Sequence, residues 1–107
     1  MIARIWSGIC RPETIDAYLA HLRQQTFPGL DALPGHLGAF ALRHDSADRI
    51  HVTVVTFWAS EAVIARFAGA DVEAAVVPPE AQALLASWDA RAVHWEVVDK
   101  PAGFAHK

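Results

Sequence analysis

Ile50-His51-Val52-Thr53-Val54-Val55-Thr56-Phe57-Trp58 is the stretch whose reading decides the fold. β-branched and aromatic residues fill it, as strands favour. Successive side chains of a strand point to opposite faces. Ile50, Val52, Val54, Thr56 and Trp58 therefore share one face, and His51, Thr53, Val55 and Phe57 share the other. Both faces are largely apolar, so both should be covered. In a two-layer domain, helices cover one face of the sheet. Something else must cover the second.

Working outward, Ser60 is a natural N-cap for a helix whose inward stripe is Val63, Ile64 and Phe67. Gly69 interrupts that helix, and Pro78-Pro79 breaks the region again. Ala81, Leu84, Leu85 and Trp88 then recur at helical spacing, so the sequence predicts a second helical piece over 80–88. Arg91 to Val98 alternates as a strand. On the other side, Gly35 to Arg43 reads as a strand rich in small residues, joined to 50–58 by a polar hairpin loop at Asp45 to Asp48. A helix is predicted from Pro12 to Thr26, with Ile15, Tyr18, Leu19 and Leu22 on one stripe and Pro28-Gly29 ending it. Residues 2 to 9 read as the first strand, with Gly8 marking a bulge or its end.

The order is β-α-β-β-α-β. This is an α+β, ferredoxin-like arrangement with a four-stranded antiparallel sheet. Two such sheets packed face to face would form a dimeric α+β barrel and cover the bare face. The chain of 107 residues is read as a single domain over 1–98 with a loose tail over 99–107. An apolar share of 53% fits some surface destined for a partner. A net charge of -3 with no basic run gives no case for nucleic acid. No stretch approaches the ~20 apolar residues of a membrane span. The start lacks the pattern of a signal peptide, and the lone Cys10 excludes an internal disulfide. A cytoplasmic protein with a reduced thiol is expected.

Several pieces carry a family likeness: Ile-Ala-Arg-Ile-Trp at 2–6, Leu-Pro-Gly at 33–35, Gly-Ala-Phe at 38–40 and Phe-Trp-Ala-Ser at 57–60. Phe-Ala-Gly at 67–69, Val-Pro-Pro-Glu-Ala at 77–81 and His-Trp-Glu-Val-Val at 94–98 continue it. In order and spacing, over residues 2 to 98, the chain resembles the antibiotic biosynthesis monooxygenase domain family of dimeric α+β barrels. The resemblance implies a homodimer. Some members of that family oxidise aromatic polyketides with O₂ and no cofactor, some degrade haem, and fold alone does not choose between them. The haem-degrading branch carries a Trp in its second helix and a ligating His about ten residues later. Phe67 and Val77 stand there in this chain, so haem degradation is disfavoured.

Cofactor-free oxygenation needs a substrate that can lose a proton, a base to take it, and donors to hold the oxyanion. Arg4 and Trp6 share one face of the first strand, and His94 and Glu96 share one face of the last. Register decides whether those faces coincide, and the sequence leaves it open. If they do, His94 would be base or proton shuttle, Glu96 would orient it, Arg4 would stabilise negative charge and Trp6 would stack on a ring. The structural alternative is an Arg4–Glu96 ion pair with His94 as a hydrogen-bonded core residue. Trp58, Phe67 and Tyr18 are further candidates for binding a substrate, with Trp58 as a roof. His21, His36, His44, His51 and His106 are weaker candidates, and none has metal-ligand spacing. Arg11 beside Cys10 could lower its thiol pKa, but with no partner in view a bystander thiol is the default reading. The Val76–Pro79 segment reads as a lid or a kink.

The functional reading is a cofactor-independent, monooxygenase-like homodimer acting on a small aromatic or quinol-type molecule with O₂, without metal or organic cofactor. The alternative is a non-catalytic, small-molecule-binding or structural homodimeric domain.

Overall fold

The computed structural model describes residues 1–104. Its strands are β1 (Ile2–Cys10), β2 (His36–Ser46), β3 (Arg49–Trp58), β4 (Leu85–Trp88) and β5 (Val93–Glu96). Its helices are α1 (Ile15–His21), α2 (Phe27–Asp31), α3 (Glu61–Ala68) and the single turn α4 (Pro79–Gln82). The sheet is antiparallel and five-stranded, in the order β2-β3-β1, with β4 and β5 both pairing β1. β5 takes Ile2 to Ile5 of β1, and β4 takes Gly8 to Cys10. Two short strands thus share end to end the position expected for one. No helix among the described residues is long and apolar enough to cross a membrane.

The predicted helix over 80–88 is corrected by this arrangement. Helical structure stops after Gln82, and Leu85–Trp88 is strand. The spacing of Leu84, Leu85 and Trp88 suits a helix, but the open edge of β1 offers Gly8 to Cys10 as a pairing partner, and tertiary pairing overrides local preference. The first helical region also differs. After α1 the chain makes a π-helical turn over Leu22–Thr26 and then continues as α2, with Pro28 in its first turn. Proline is tolerated there because it lacks only a donor that the first turn leaves unpaired. Pro28-Gly29 therefore lies inside α2 and does not end the helical region.

Ser60 does cap α3, its Oγ accepting from the Val63 N–H at 3.4 Å, and Gly69 closes that helix at φ +88. Gly35, at φ +89, turns the chain into β2, where a Cβ would come within 2.7 Å of Val63. A left-handed backbone and that close approach both require glycine there.

Helices cover only one face of the sheet. The even positions of β3 are buried beneath them, in alternation with half-buried odd positions. Two apolar clusters form the core. One gathers Cys10, Ile15, Tyr18, Leu22, Ile50 and Val52, and the other Leu30, Trp58 and Ile64. The opposite face carries Phe40 and Leu42, each 53% exposed, and Trp95 at 59%. Phe104 from the C-terminal segment sets its ring edge-on to Phe57 on that face, centroids 5.2 Å apart. His106 lies outside the described residues.

Candidate functional site

A cavity opens between helices and sheet, at the seam of the two core clusters. Its floor is Arg4 and Trp6 of β1 with Val54 and Thr56 of β3. Tyr18, His21, Leu22 and Thr26 of the first helical region form one wall, with Phe67 of α3 and the Val76–Pro78 segment opposite. The inner chamber measures about 70 Å³. It continues outward past His21, Phe67 and Val77 into a mouth of about 580 Å³, edged by Arg66 and Glu80. The lining is mostly apolar with a few polar groups, the usual make-up of a small-molecule site.

Register, which the sequence left open, is plain here. Arg4 lies directly opposite His94, and Ile2 opposite Glu96. Arg4, Trp6, His94 and Glu96 therefore share the helix-facing side. Their contacts differ from a four-residue cluster. Arg4 is 5% exposed. Its Nη1 donates to the Val72 carbonyl and, at 2.7 Å, to His94 Nε2, and its Nη2 donates to the Ala74 carbonyl at 2.8 Å. A guanidinium can only donate. His94 Nε2 must then accept, which leaves the ring proton on Nδ1, 3.2 Å from Glu61 Oε1. Both ring nitrogens of His94 are thereby engaged, and His94 sits behind Arg4. The carboxylate oriented toward it is Glu61, not Glu96. Glu96 is exposed. The alternative Arg4–Glu96 pair is replaced by bonds from Arg4 to two backbone carbonyls and His94.

These bonds fasten the segment from Gly69 to Pro78. Arg91 and Asp71 pair through two bonds of 2.9 Å, Ala92 N–H donates to the Glu73 carbonyl, and His94 N–H donates to Glu73 Oε2. Val76, Val77 and Pro78 emerge from this anchored stretch as cavity wall. Burial lowers the Arg4 pKa, and the Glu73 charge opposes that shift. The guanidinium also lies 5.8 Å from the centre of the Phe67 ring, a cation–π contact that fixes the ring at the chamber's edge.

Trp6 reaches the cavity and donates from Nε1 to the Asp89 carbonyl at 2.8 Å. Phe67 lines both chamber and mouth. Tyr18, 2% exposed, lines the chamber, and burial raises its phenol pKa. Trp58 lies beneath this surface. It stacks on Phe67 at 5.7 Å and donates to Thr56 Oγ1 at 2.8 Å, so it supports the site from the core without roofing it. Cys10 is fully buried, and burial raises its thiol pKa against the Arg11 charge. Desolvation outweighs the neighbouring cation here, as a bystander thiol requires.

Sequence reading missed Thr56 and Thr26 and ranked His21 low. Tyr18 and His21 lie one turn apart on α1, a spacing that puts both on one helix face. That spacing was the available signal.

A family model for antibiotic biosynthesis monooxygenase matches residues 9–77. The chain belongs to this family. The match covers more than half of the chain, including both helical walls and the β2–β3 hairpin; Arg4 and His94 lie outside it. No curated protein matches the chain. Val77, where the haem-degrading branch carries its axial His, offers the chamber no ligand atom, so the residues at this position do not fit haem.

Proposed function

We propose that this antibiotic biosynthesis monooxygenase domain is a homodimer that binds a small, flat, hydroxylated aromatic molecule between its helices and sheet. We propose further that it oxidises this molecule with O₂ and without a metal or organic cofactor. One observation carries the reading: an apolar cavity whose mouth of about 580 Å³ has room for a ring and whose inner chamber of about 70 Å³, floored by Arg4 and Thr56 and walled by Tyr18 and His21, has room for its hydroxyl end. Phe67 and Trp6 offer rings on which a planar molecule can lie. The Arg4 cation beneath the chamber favours negative charge developing on a bound oxygen. The mostly apolar lining strengthens that effect by lowering the local polarity.

The homodimer is supported by the uncovered face of the sheet. Phe40, Leu42, Val93 and Trp95 expose half or more of their surface on that face. A second copy stacked there would bury them and should remove well over ~1,000 Å² in total. A compact monomer in sedimentation at micromolar concentration would overturn this part.

The second reading is a binder without turnover. It is favoured by the Arg4–His94–Glu61 chain, whose ring nitrogens and guanidinium are spent on structural bonds. An oxygen electrode separates the two readings. With an anthrone or a naphthoquinol, oxygenation predicts O₂ uptake that falls in Tyr18→Phe. Thermal stabilisation by the same compounds without O₂ uptake supports the binder. Neither effect with any such compound would overturn both.

A further inference from the structure

We infer that His21, through Nε2, is the proton acceptor of the chamber, taking the proton of a ligand hydroxyl while Tyr18 Oη hydrogen-bonds the same oxygen. This rests on the reading that the chamber holds a hydroxylated aromatic molecule.

His21 Nε2 is closed off from solvent and has no hydrogen-bond partner among the described residues. Buried polar atoms are nearly always paired, and an unpaired one costs ~1–3 kcal/mol. His21 lines both chamber and mouth, so a molecule entering the cavity meets its side chain, and a rotation of the ring would bring Nε2 to it. Tyr18 lies one turn earlier on the same helix and lines the same chamber. The two thus stand one turn apart on the same wall of the cavity. The π-helical turn begins directly after His21 and sets Leu22 and Thr26 on the wall beside it. Such turns recur at functional sites.

The contrast with His94 decides which histidine has free capacity. Arg4 and Glu61 occupy both nitrogens of His94, whereas His21 Nε2 has no hydrogen-bond partner among the described residues. The charged and titratable groups around His21 are Tyr18 on its own helix, Arg4 on β1, Arg66 on α3 and Glu80 on α4. Arg4 lies on the floor, where it favours an oxyanion, and Arg66 and Glu80 bring opposite charges to the mouth. The step breaks the ligand O–H bond and forms N–H at Nε2. Its electron pair stays on the ligand oxygen, and nothing is oxidised or reduced.

The test uses p-nitrophenol, whose absorbance reports its ionisation, beside p-nitroanisole, which has no hydroxyl. Both are titrated into the wild-type protein and into His21→Gln, below the pH at which free p-nitrophenol ionises. Wild type should bind p-nitrophenol with an enlarged phenolate fraction. His21→Gln should lose that fraction and bind p-nitrophenol about tenfold more weakly, one pK unit of lost proton affinity. Its affinity for p-nitroanisole should change less than about twofold. Equal phenolate fractions in both proteins would overturn the role of His21 and leave the cavity reading intact. Failure of wild type to bind either compound would overturn the cavity reading itself, and this inference with it. If His21→Gln does not fold, nitrogen NMR of the wild-type imidazole decides: protonation of Nε2 on adding p-nitrophenol supports the assignment, and an unchanged ring overturns it. A Soret band with added hemin that vanishes in His21→Asn would make His21 an iron ligand and also overturn it.

Discussion

The two faces of the sheet invert the usual placement of polar and apolar groups. On the helix-covered side, Arg4, Thr56 and His94 are enclosed, each tied by hydrogen bonds. On the bare side, Phe40, Leu42, Val93 and Trp95 stand half exposed or more. Strand alternation makes this possible, because β1, β3 and β5 send one set of side chains to each face. Enclosed polar groups around a cavity belong to recognition and positioning. Exposed apolar groups gathered on one face belong to association. The comparison separates where a ligand would bind from where a second copy would sit.

Truncation of the tryptophans tests it most strongly. Trp58→Ala on the covered face should cost ~3–5 kcal/mol in denaturant unfolding, since it empties a site packed by Phe67 and His36. Trp95→Ala on the bare face should cost much less in the isolated fold and act chiefly on self-association. Equal losses, independent of protein concentration, would erase the difference between the faces. Arg4→Met comes next. It leaves the Val72 and Ala74 carbonyls and His94 Nε2 without their donor, a loss of ~2–4 kcal/mol. Amide exchange should accelerate first in the stretch from Gly69 to Pro78. Uniform acceleration would mean that Arg4 does not act as its anchor.

The bare face is challenged by Phe40→Asp. A charge at the centre of an apolar interface should weaken self-association by ~2 kcal/mol or more, roughly thirtyfold, read by sedimentation. Unchanged association would move the interface elsewhere. The covered face has a pH signature of its own. Cys10 and Tyr18 have pKa values raised by burial, so the folded state holds their protons more tightly than the unfolded chain does. Their contribution is fully present below the unfolded values and lost as pH rises, beginning near the ordinary thiol value of ~8.5. The slope cannot exceed ~1.4 kcal/mol per pH unit for each group. Cys10→Ala should flatten the first part of that decline in melts between neutral and alkaline pH. An unaltered curve would remove Cys10 as its cause.

Much of this was legible in the sequence because it is local. Ser60, Gly69 and the alternation of β3 each act through neighbours in the chain, and the α+β order followed from them. The fate of Leu85 to Trp88 was not local. Whether that stretch is helix or strand depends on the edge of β1, far away in sequence. The site divides in the same way. Tyr18 and Phe67 lie on apolar stripes and were readable as candidates. The Arg4–His94 pairing needed register, and Glu61 entered only through the approach of α3 to β5. His21 was undervalued because the lack of a partner for its Nε2 among the described residues is a property of the packed cavity, which no spacing in the chain encodes.

The smallest test concerns the hairpin tip, where neither face is covered. Residues 40–46 of β2 are exposed, and the turn that follows places Ala47 at φ 52. A left-handed alanine costs ~1–2 kcal/mol relative to its preferred backbone. Ala47→Gly relieves that strain but adds freedom to the unfolded chain, which returns ~0.4–1 kcal/mol. The balance should be a stabilisation of about 0.5 kcal/mol, or roughly 2–4 °C in Tm. Its size separates two states of the hairpin. If the tip is tied into the cooperative fold by its pairing from Ser46↔Arg49 back to His36↔Trp58, the whole melt should shift. If the uncovered tip opens by itself, Tm should stay fixed, and only the amide exchange of residues near the turn should slow.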